Sequence, residues 1–370
     1  MLRLLLLLYG IGAGFTLAAQ VPRFFTNSRT VLGTRMETSA SVSLGDIDGD
    51  GDLDAVVANG RHWPGQNRLH LNNGEGLFSV AAALGATERT SYAAELADLD
   101  GDGDLDIAVG NDRAPNELYR NAGNGQFVYV GTFGDPNAST RNLTLADIDG
   151  DGDTDILINN RGQVNEICLN DGAGGFAEVQ TFGTADDSTI DVEAFDMNGD
   201  GAPDLVLANR DGQPNYVYLN DGAGYFRDSL AFGTGSDETR AVEVADLNGD
   251  GLPDIVTANI EEPNRLYLTG AAGEFAEYVY DTDSSYSYSL AVADLDGDGF
   301  PDIVVGNVEA PNVVFFNREN GSKWERGKLA DEDFYTYDIR VGDLNGDGRP
   351  DIVEGNSDAV NRYYLNRLPE

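Results

Sequence analysis

Apolar positions in this chain come in short runs separated by turn-forming residues, and the order of runs and turns repeats. In one unit, residues 92–97 lead into an acidic turn and residues 107–110 follow it. Residues 117–120 and 126–133 then make third and fourth runs. Their short apolar character and the turns between them predict strands rather than helices. Between the second and third runs lies Asn111-Asp112-Arg113-Ala114-Pro115-Asn116. A glycine-containing hairpin, Asn121-Ala122-Gly123-Asn124-Gly125, joins the third and fourth. The pattern returns every 48 to 52 residues, at acidic nonapeptides beginning with Asp46, Asp98, Asp147, Asp196, Asp246, Asp294 and Asp343. Four strands and their turns in a unit of this length is the size of a propeller blade.

The expected architecture is therefore an all-β, seven-bladed β-propeller of four-stranded antiparallel blades, spanning residues 20–370. The last unit stops at Tyr363-Tyr364-Leu365-Asn366 without a fourth strand, and residues 23–33 stand alone before the first acidic turn. Leu32-Gly33 lies as far ahead of Asp46 as Phe133-Gly134 and Phe182-Gly183 lie ahead of theirs. Residues 23–33 are thus expected to complete the seventh blade, so that the N-terminal strand closes the ring and no sheet edge stays open.

Residues 1–19 are of another kind. A positive start at Arg3, an apolar stretch over residues 4–17 and small residues at Ala18 and Ala19 predict a signal peptide. The alternative is an uncleaved N-terminal anchor. Export to the periplasm, cell surface or medium is expected, as a monomer with no membrane span once the signal is removed. The single cysteine, Cys168, excludes an internal disulfide and reads as a buried strand thiol. An exported fold without disulfides needs another staple, and metal ions are the candidate. With 64 acidic against 23 basic residues, the formal charge is −41. Nucleic acid is thereby a poor partner, as are anionic membranes.

The acidic turns have the chemistry of a calcium site. Each reads Asp-x-(Asp/Asn)-Gly-Asp-Gly-x-x-Asp. Carboxylates at positions 1, 3, 5 and 9, with a backbone carbonyl at position 7, supply the oxygen cage that Ca2+ prefers over the stricter geometry of Mg2+. The candidate ligands are Asp46, Asp48, Asp50, Asp52 and Asp54 in the first unit, and Asp98, Asp100, Asp102, Asp104 and Asp106 in the second. The third offers Asp147, Asp149, Asp151, Asp153 and Asp155, and the fourth Asp196, Asn198, Asp200, Ala202 and Asp204. The fifth offers Asp246, Asn248, Asp250, Leu252 and Asp254, and the sixth Asp294, Asp296, Asp298, Phe300 and Asp302. The seventh offers Asp343, Asn345, Asp347, Arg349 and Asp351, so up to seven ions are expected. Asn at position 3 lowers the site charge, so Asn198, Asn248 and Asn345 mark the weaker loops. An EF-hand does not fit, because position 12 holds Val57, Val109, Ile158, Leu207, Thr257 and Val305 in place of glutamate in six of the seven loops.

Two asparagine ladders keep the same register. One runs through Asn59, Asn111, Asn160, Asn209, Asn259, Asn307 and Asn356, the other through Asn67, Asn116, Asn165, Asn215, Asn264, Asn312 and Asn361. Turn capping and hydrogen bonds between blades account for both.

The acidic loops, the Phe-Gly or Leu-Gly pair of five units, and Gly-Asn-x-x-Ala-Pro at residues 110–115 and 306–311 resemble FG-GAP/VCBS-type repeats. Such repeats build the propeller head of integrin α subunits and many exported bacterial proteins. The resemblance implies a seven-bladed propeller with calcium between first and second strands, and a role in binding or cell adhesion. Some related propellers degrade or recognise polysaccharides. Acidic loops in every unit, without leg domains, depart from integrin heads and put a receptor role in doubt.

Strand parity places the acidic loops and glycine hairpins on one face and the remaining connections on the other. The second face gathers Arg61, Arg113, Arg161 and Arg210, with Arg141 and Arg240, and the aromatic residues Trp63, Tyr92, Tyr288 and Tyr337. Guanidinium and aromatic groups around a funnel suit a carbohydrate, above all an acidic one, or a protein ligand. The competing account is that these arginines pair with neighbouring carboxylates. Only the first unit carries a three-residue insertion, within residues 60–66. Its His62, with Arg61, Tyr92 and Arg141, admits an alternative: a polysaccharide lyase. A structural envelope scaffold is the third reading.

Overall fold

The computed structural model describes residues 23–25, 29–283 and 286–367. The expected signal segment, residues 1–19, lies outside them. All regular structure among the described residues is β-strand. No helix there is long and apolar enough to cross a membrane.

Each repeat unit makes an antiparallel meander. In the second unit Ser91–Ala97, Asp106–Asn111, Asn116–Asn121 and Phe127–Phe133 pair in order, each within a residue or so of the expected bounds. The second strand is buried at all six positions, whereas most of the fourth faces solvent. That gradient follows from the sequence. Ile107, Ala108 and Val109 stand where a strand covered on both faces requires apolar side chains, and a buried Ile or Val is worth about 1.5–3 kcal/mol. Side chains of successive units interleave into shared clusters, such as Ile47, Val56 and Leu69 with Ala94, Ile107 and Val109. The last and first units meet in the same way through Val353 and Tyr363 against Val42 and Val57. Cys168 is fully buried, and that burial pushes its thiol up to about 12.

The strand pairing corrects the expected blade count and the expected closure. Six sheets form rather than seven: five have four strands, and the sixth has seven. The ring thus counts six blades, one of them a composite of the first and last units. Residues 23–33 do not complete a separate seventh blade. Arg23–Phe25 pairs with the end of Asp351–Arg367. A second strand, Val31–Gly45, crosses from the last unit into the first, pairing Val31 with Arg362 and then Val42 with Val57. The cause is local chemistry. Asp351–Arg367 runs unbroken for 17 residues through Ser357-Asp358-Ala359-Val360, a connection with neither glycine nor proline. The corresponding connections of the second, fifth and sixth units carry Pro115, Pro263 and Pro311, which cannot donate to a ladder.

Both asparagine ladders are buried hydrogen-bond belts. Asn67 donates to Ser91 Oγ of the next unit (3.0 Å), and Ser91 donates in turn to Asn111 (2.8 Å). The belt closes where Asn361 donates to Ser39 (3.0 Å). A further ladder was not anticipated. Asn72, Asn121, Asn170, Asn220, Asn317 and Asn366 each send Nδ2 to a backbone carbonyl in the acidic loop of another unit; Asn121, for example, reaches Ile47 O at 2.9 Å. Asn at one register in six of the seven units was the available signal.

Candidate functional site

Two places gather chemistry. The first is the ring of acidic loops. Position 1 folds each loop: Asp98 accepts backbone N–H bonds from Gly101 (2.8 Å) and Gly103 (3.0 Å). Both glycines lie at positive φ, 74° and 96°, which explains glycine at positions 4 and 6. Position 9 is buried and ties the loop to the end of the third strand. Asp106 accepts Leu99 N–H at 3.2 Å and Asn121 N–H at 2.8 Å. Burial, against those hydrogen bonds, lifts Asp54, Asp106, Asp155 and Asp254 to about 6, and Asp302 and Asp351 to about 7.

These loops fit a metal ion. Carboxylate oxygens of Asp46, Asp48 and Asp50 lie within 4.8 Å of one another, as do those of Asp98, Asp100 and Asp106, of Asp147, Asp149 and Asp155, and of Asp294, Asp296 and Asp302. These are the four loops with Asp at position 3. Asp48 Oδ1 is buried without a hydrogen-bond partner, as an oxygen reserved for a cation would be. In loops with Asn198, Asn248 and Asn345 no such triplet forms among the described residues.

The second place is the axial mouth on the opposite face. Each first strand shifts register near its start, for example between Ser91 and Ala93. Such β-bulges re-aim a side chain. The residues at the shifts are Ala40, Tyr92, Arg141, Ile190, Arg240, Tyr288 and Tyr337. Five of the ten candidate ligand residues are among them, and these five line one axial cavity of about 300 Å³. Arg61 from the first-unit insertion joins them, its guanidinium 3.4 Å from the Tyr337 ring centroid. Tyr337 meets Tyr288 edge to face at 4.9 Å, and Arg240 lies 5.5 Å over Tyr288. Across the mouth Arg141 lies 4.5 Å over Tyr92, and Tyr92 Oη is 3.2 Å from His62 Nδ1. Burial, then Arg61, lowers the His62 pKa.

The arginines differ in their partners. Arg141 pairs with Asp112 (2.8 Å), Arg161 bidentately with Asp211 (2.6 and 3.0 Å), and Arg210 with Glu238 (3.5 Å). Arg61 and Arg240 make no ion pair among the described residues. Burial lowers Arg240 to about 10. Trp63 stands 74 % exposed without a ring partner among the described residues, and Arg113 is fixed by its backbone, whose N–H donates to Ala138 O at 2.7 Å.

Below the mouth the charge reverses. Glu95, Asp191, Glu193, Glu243 and Asp338 face the axis, with Arg340 as the cation among them. Arg340 lies 3.3 Å from Asp338 and 3.5 Å from Glu95. Burial and Asp191 raise Glu193 to about 7, and burial and Glu193 raise Glu243 well above the usual range. Sequence reading missed this floor. Its signal was a charged residue three positions before the loop Asp, at Glu95, Glu193, Glu243 and Arg340.

Comparison with known proteins places the chain. Among solved structures, an Agrocybe aegerita lectin specific for non-reducing terminal N-acetylglucosamine is 23% identical, with TM-score 0.58 over 80% of this chain and 81% of that one. BBS1N, from its complex with ARL6DN, aligns at TM-score 0.62 and 13% identity over 95% and 98% of the two chains. The WD40 β-propeller domain of Doa1 aligns at 0.60 and 13% over 94% and 97%. These likenesses support the propeller fold. No curated protein matches in sequence. A model of the FG-GAP-like repeat matches residues 46–109, 98–158, 147–207, 196–257, 246–305 and 294–354, and the chain belongs to the FG-GAP-like repeat family.

Proposed function

We propose that this protein is an exported, calcium-stabilised propeller that binds an acidic carbohydrate, without catalysis, at the axial mouth opposite the acidic loops. One observation carries the reading. In a chain of formal charge −41, Arg61 and Arg240 form no ion pair among the described residues, although the charge of Asp191 acts on Arg240, and they stack on Tyr337 and Tyr288 beside a cavity. A partly desolvated guanidinium without a directly paired anion is costly, and a sugar carboxylate or sulfate would satisfy it bidentately. Tyrosine rings offer a stacking surface for the sugar, and the carboxylates below accept hydroxyl hydrogens. A lectin among propellers of similar fold agrees with this reading. Calcium in the loops supplies cross-links between strands, a role that suits a chain with one cysteine. Export rests on residues 1–19, and adhesion would follow from glycan binding at a cell surface.

A glycan array carrying uronic and sulfated saccharides, followed by calorimetry, tests the reading. The full chain should bind anionic glycans saturably, and the double variant Arg61→Ala/Arg240→Leu should lose at least about tenfold in affinity, the scale of one charge-assisted contact. Binding that is absent, or indifferent to both arginines, overturns it. Copurification with an envelope protein and no glycan would favour a scaffold.

The contact of Tyr92 with His62, beside Arg141, favours a second reading as a lyase, with one of the pair as base and Arg141 neutralising a uronate. Unsaturated products lost in His62→Ala would support it; no product from any anionic polysaccharide sinks it.

A further inference from the structure

We propose that arginines placed on two of the four acidic loops that gather three carboxylates compete with the metal ion, so these four loops form two grades of cation site. Arg349, which pairs with Asp347, lies in a loop with Asn345 at position 3 and outside this set. This rests on the calcium reading and concerns how those same loops fill.

In the loop of residues 98–106, Arg120 Nε lies 2.6 Å from Asp100 Oδ2, while another of its nitrogens donates to Ala173 O at 3.1 Å in the next unit. In the loop of residues 294–302, Arg318 bonds Asp296 and lies 3.8 Å from Asp298. Its Nε also donates to Glu325 at 2.9 Å, and its guanidinium lies 4.9 Å over Phe316. Both arginines therefore reach the position-3 carboxylate, which is withdrawn from solvent: the Asp100 side chain is 8% exposed and that of Asp296 is 0% exposed. The loops at Asp46 and Asp147 bring three carboxylates together equally well, yet no cationic side chain touches them among the described residues. The repeat makes the exception legible. Where the second unit has Arg120, other units have Leu71, Leu169, Leu219 and Leu268. Where the sixth has Arg318, the first five have Asn73, Ala122, Asp171, Asp221 and Gly270, and the seventh has Arg367.

A guanidinium and a divalent cation need the same lone pairs. A metal entering either loop must displace the arginine or sit within a few ångströms of its charge, and both choices cost affinity. The same contacts hold the loops in shape before metal arrives. Arg120 links its loop to the neighbouring hairpin, and Arg318 links its loop to its own fourth strand. The loops at Asp46 and Asp147 fill first. Those at Asp98 and Asp294 fill only at higher calcium, with their arginines released.

Calcium titration of the chelator-treated full chain, by calorimetry and equilibrium dialysis, tests this. Arg120→Leu and Arg318→Ala should each move one site from the weak class to the tight class, lowering its Kd at least about tenfold, and the double variant should move two. Arg120→Gln keeps a hydrogen bond without the charge and should also gain affinity, so a folding defect in the leucine variant does not decide the matter. Unchanged site classes, or weaker calcium binding in the variants, overturn the proposal. A wild-type chain that binds no calcium at all removes the calcium reading itself, a result distinct from unchanged classes.

Discussion

Replacing Asp106 with alanine should destabilise the protein even when no metal is present. Asp106 is 2% exposed and accepts two backbone N–H groups, Leu99 at 3.2 Å and Asn121 at 2.8 Å. The substitution leaves both donors buried without partners, at about 1–3 kcal/mol each. Part of that loss is offset, because burial already disfavours the Asp106 carboxylate and holds its pKa at about 6. A net loss of about 2–4 kcal/mol follows at neutral pH. Asp102, at position 5 of the same loop, is exposed and accepts one N–H, from Asp104 at 3.0 Å. Asp102→Ala should cost less than about 0.5 kcal/mol without metal, as surface substitutions do. Urea unfolding of both variants in chelator, followed by circular dichroism, measures the contrast. Both should then lose calcium affinity. Equal metal-free stability of the two variants would refute the assignment of position 9 as a structural staple.

Two more outcomes follow from the same geometry. The folded pKa values of the position-9 carboxylates, about 6 for Asp54, Asp106, Asp155 and Asp254 and about 7 for Asp302 and Asp351, lie above the unfolded value near 3.8. The folded state therefore binds these protons more tightly, so their stabilisation is full below about pH 4 and lost as pH rises through about 7. Urea midpoints in chelator should fall across that window, and calcium should flatten the slope; a midpoint that rises with pH contradicts it. Asn361→Ala should cost about 1–3 kcal/mol, because it orphans Asn356 N–H (2.7 Å) and breaks the bond to Ser39 that closes the belt. An unfolding midpoint equal to wild type would show that the belt carries no stability.

How far the sequence was legible depended on whether a feature repeats. The second unit's four strands were readable because apolar runs and turn residues alternate with fixed period, and the second strand's burial follows directly from Ile107-Ala108-Val109. The loops were readable because glycines at positions 4 and 6 and carboxylates at alternate positions allow few other conformations. The blade count was not. The segment of residues 31–45 has apolar character suited to both the last unit and the first, and only the unbroken pairing of Asp351–Arg367 shows that it serves both. At the axial mouth, Tyr92, Arg141, Arg240, Tyr288 and Tyr337 were selected for charge and aromaticity on one face. What turns them towards the axis is a register shift, and a bulge leaves no mark in composition.

By itself, then, the sequence determined the repeat, the strand order within a unit and the acidic loops, because each depends on residues close along the chain and is written several times. Tertiary structure decided which charges are left over. Arg61 and Arg240 differ from Arg161 and Arg210 only in what lies beside them, and Arg120 and Arg318 become loop cations only through contacts across the fold. Pairing depends on distances of a few ångströms between residues far apart in sequence, and chain closure alone sets those distances.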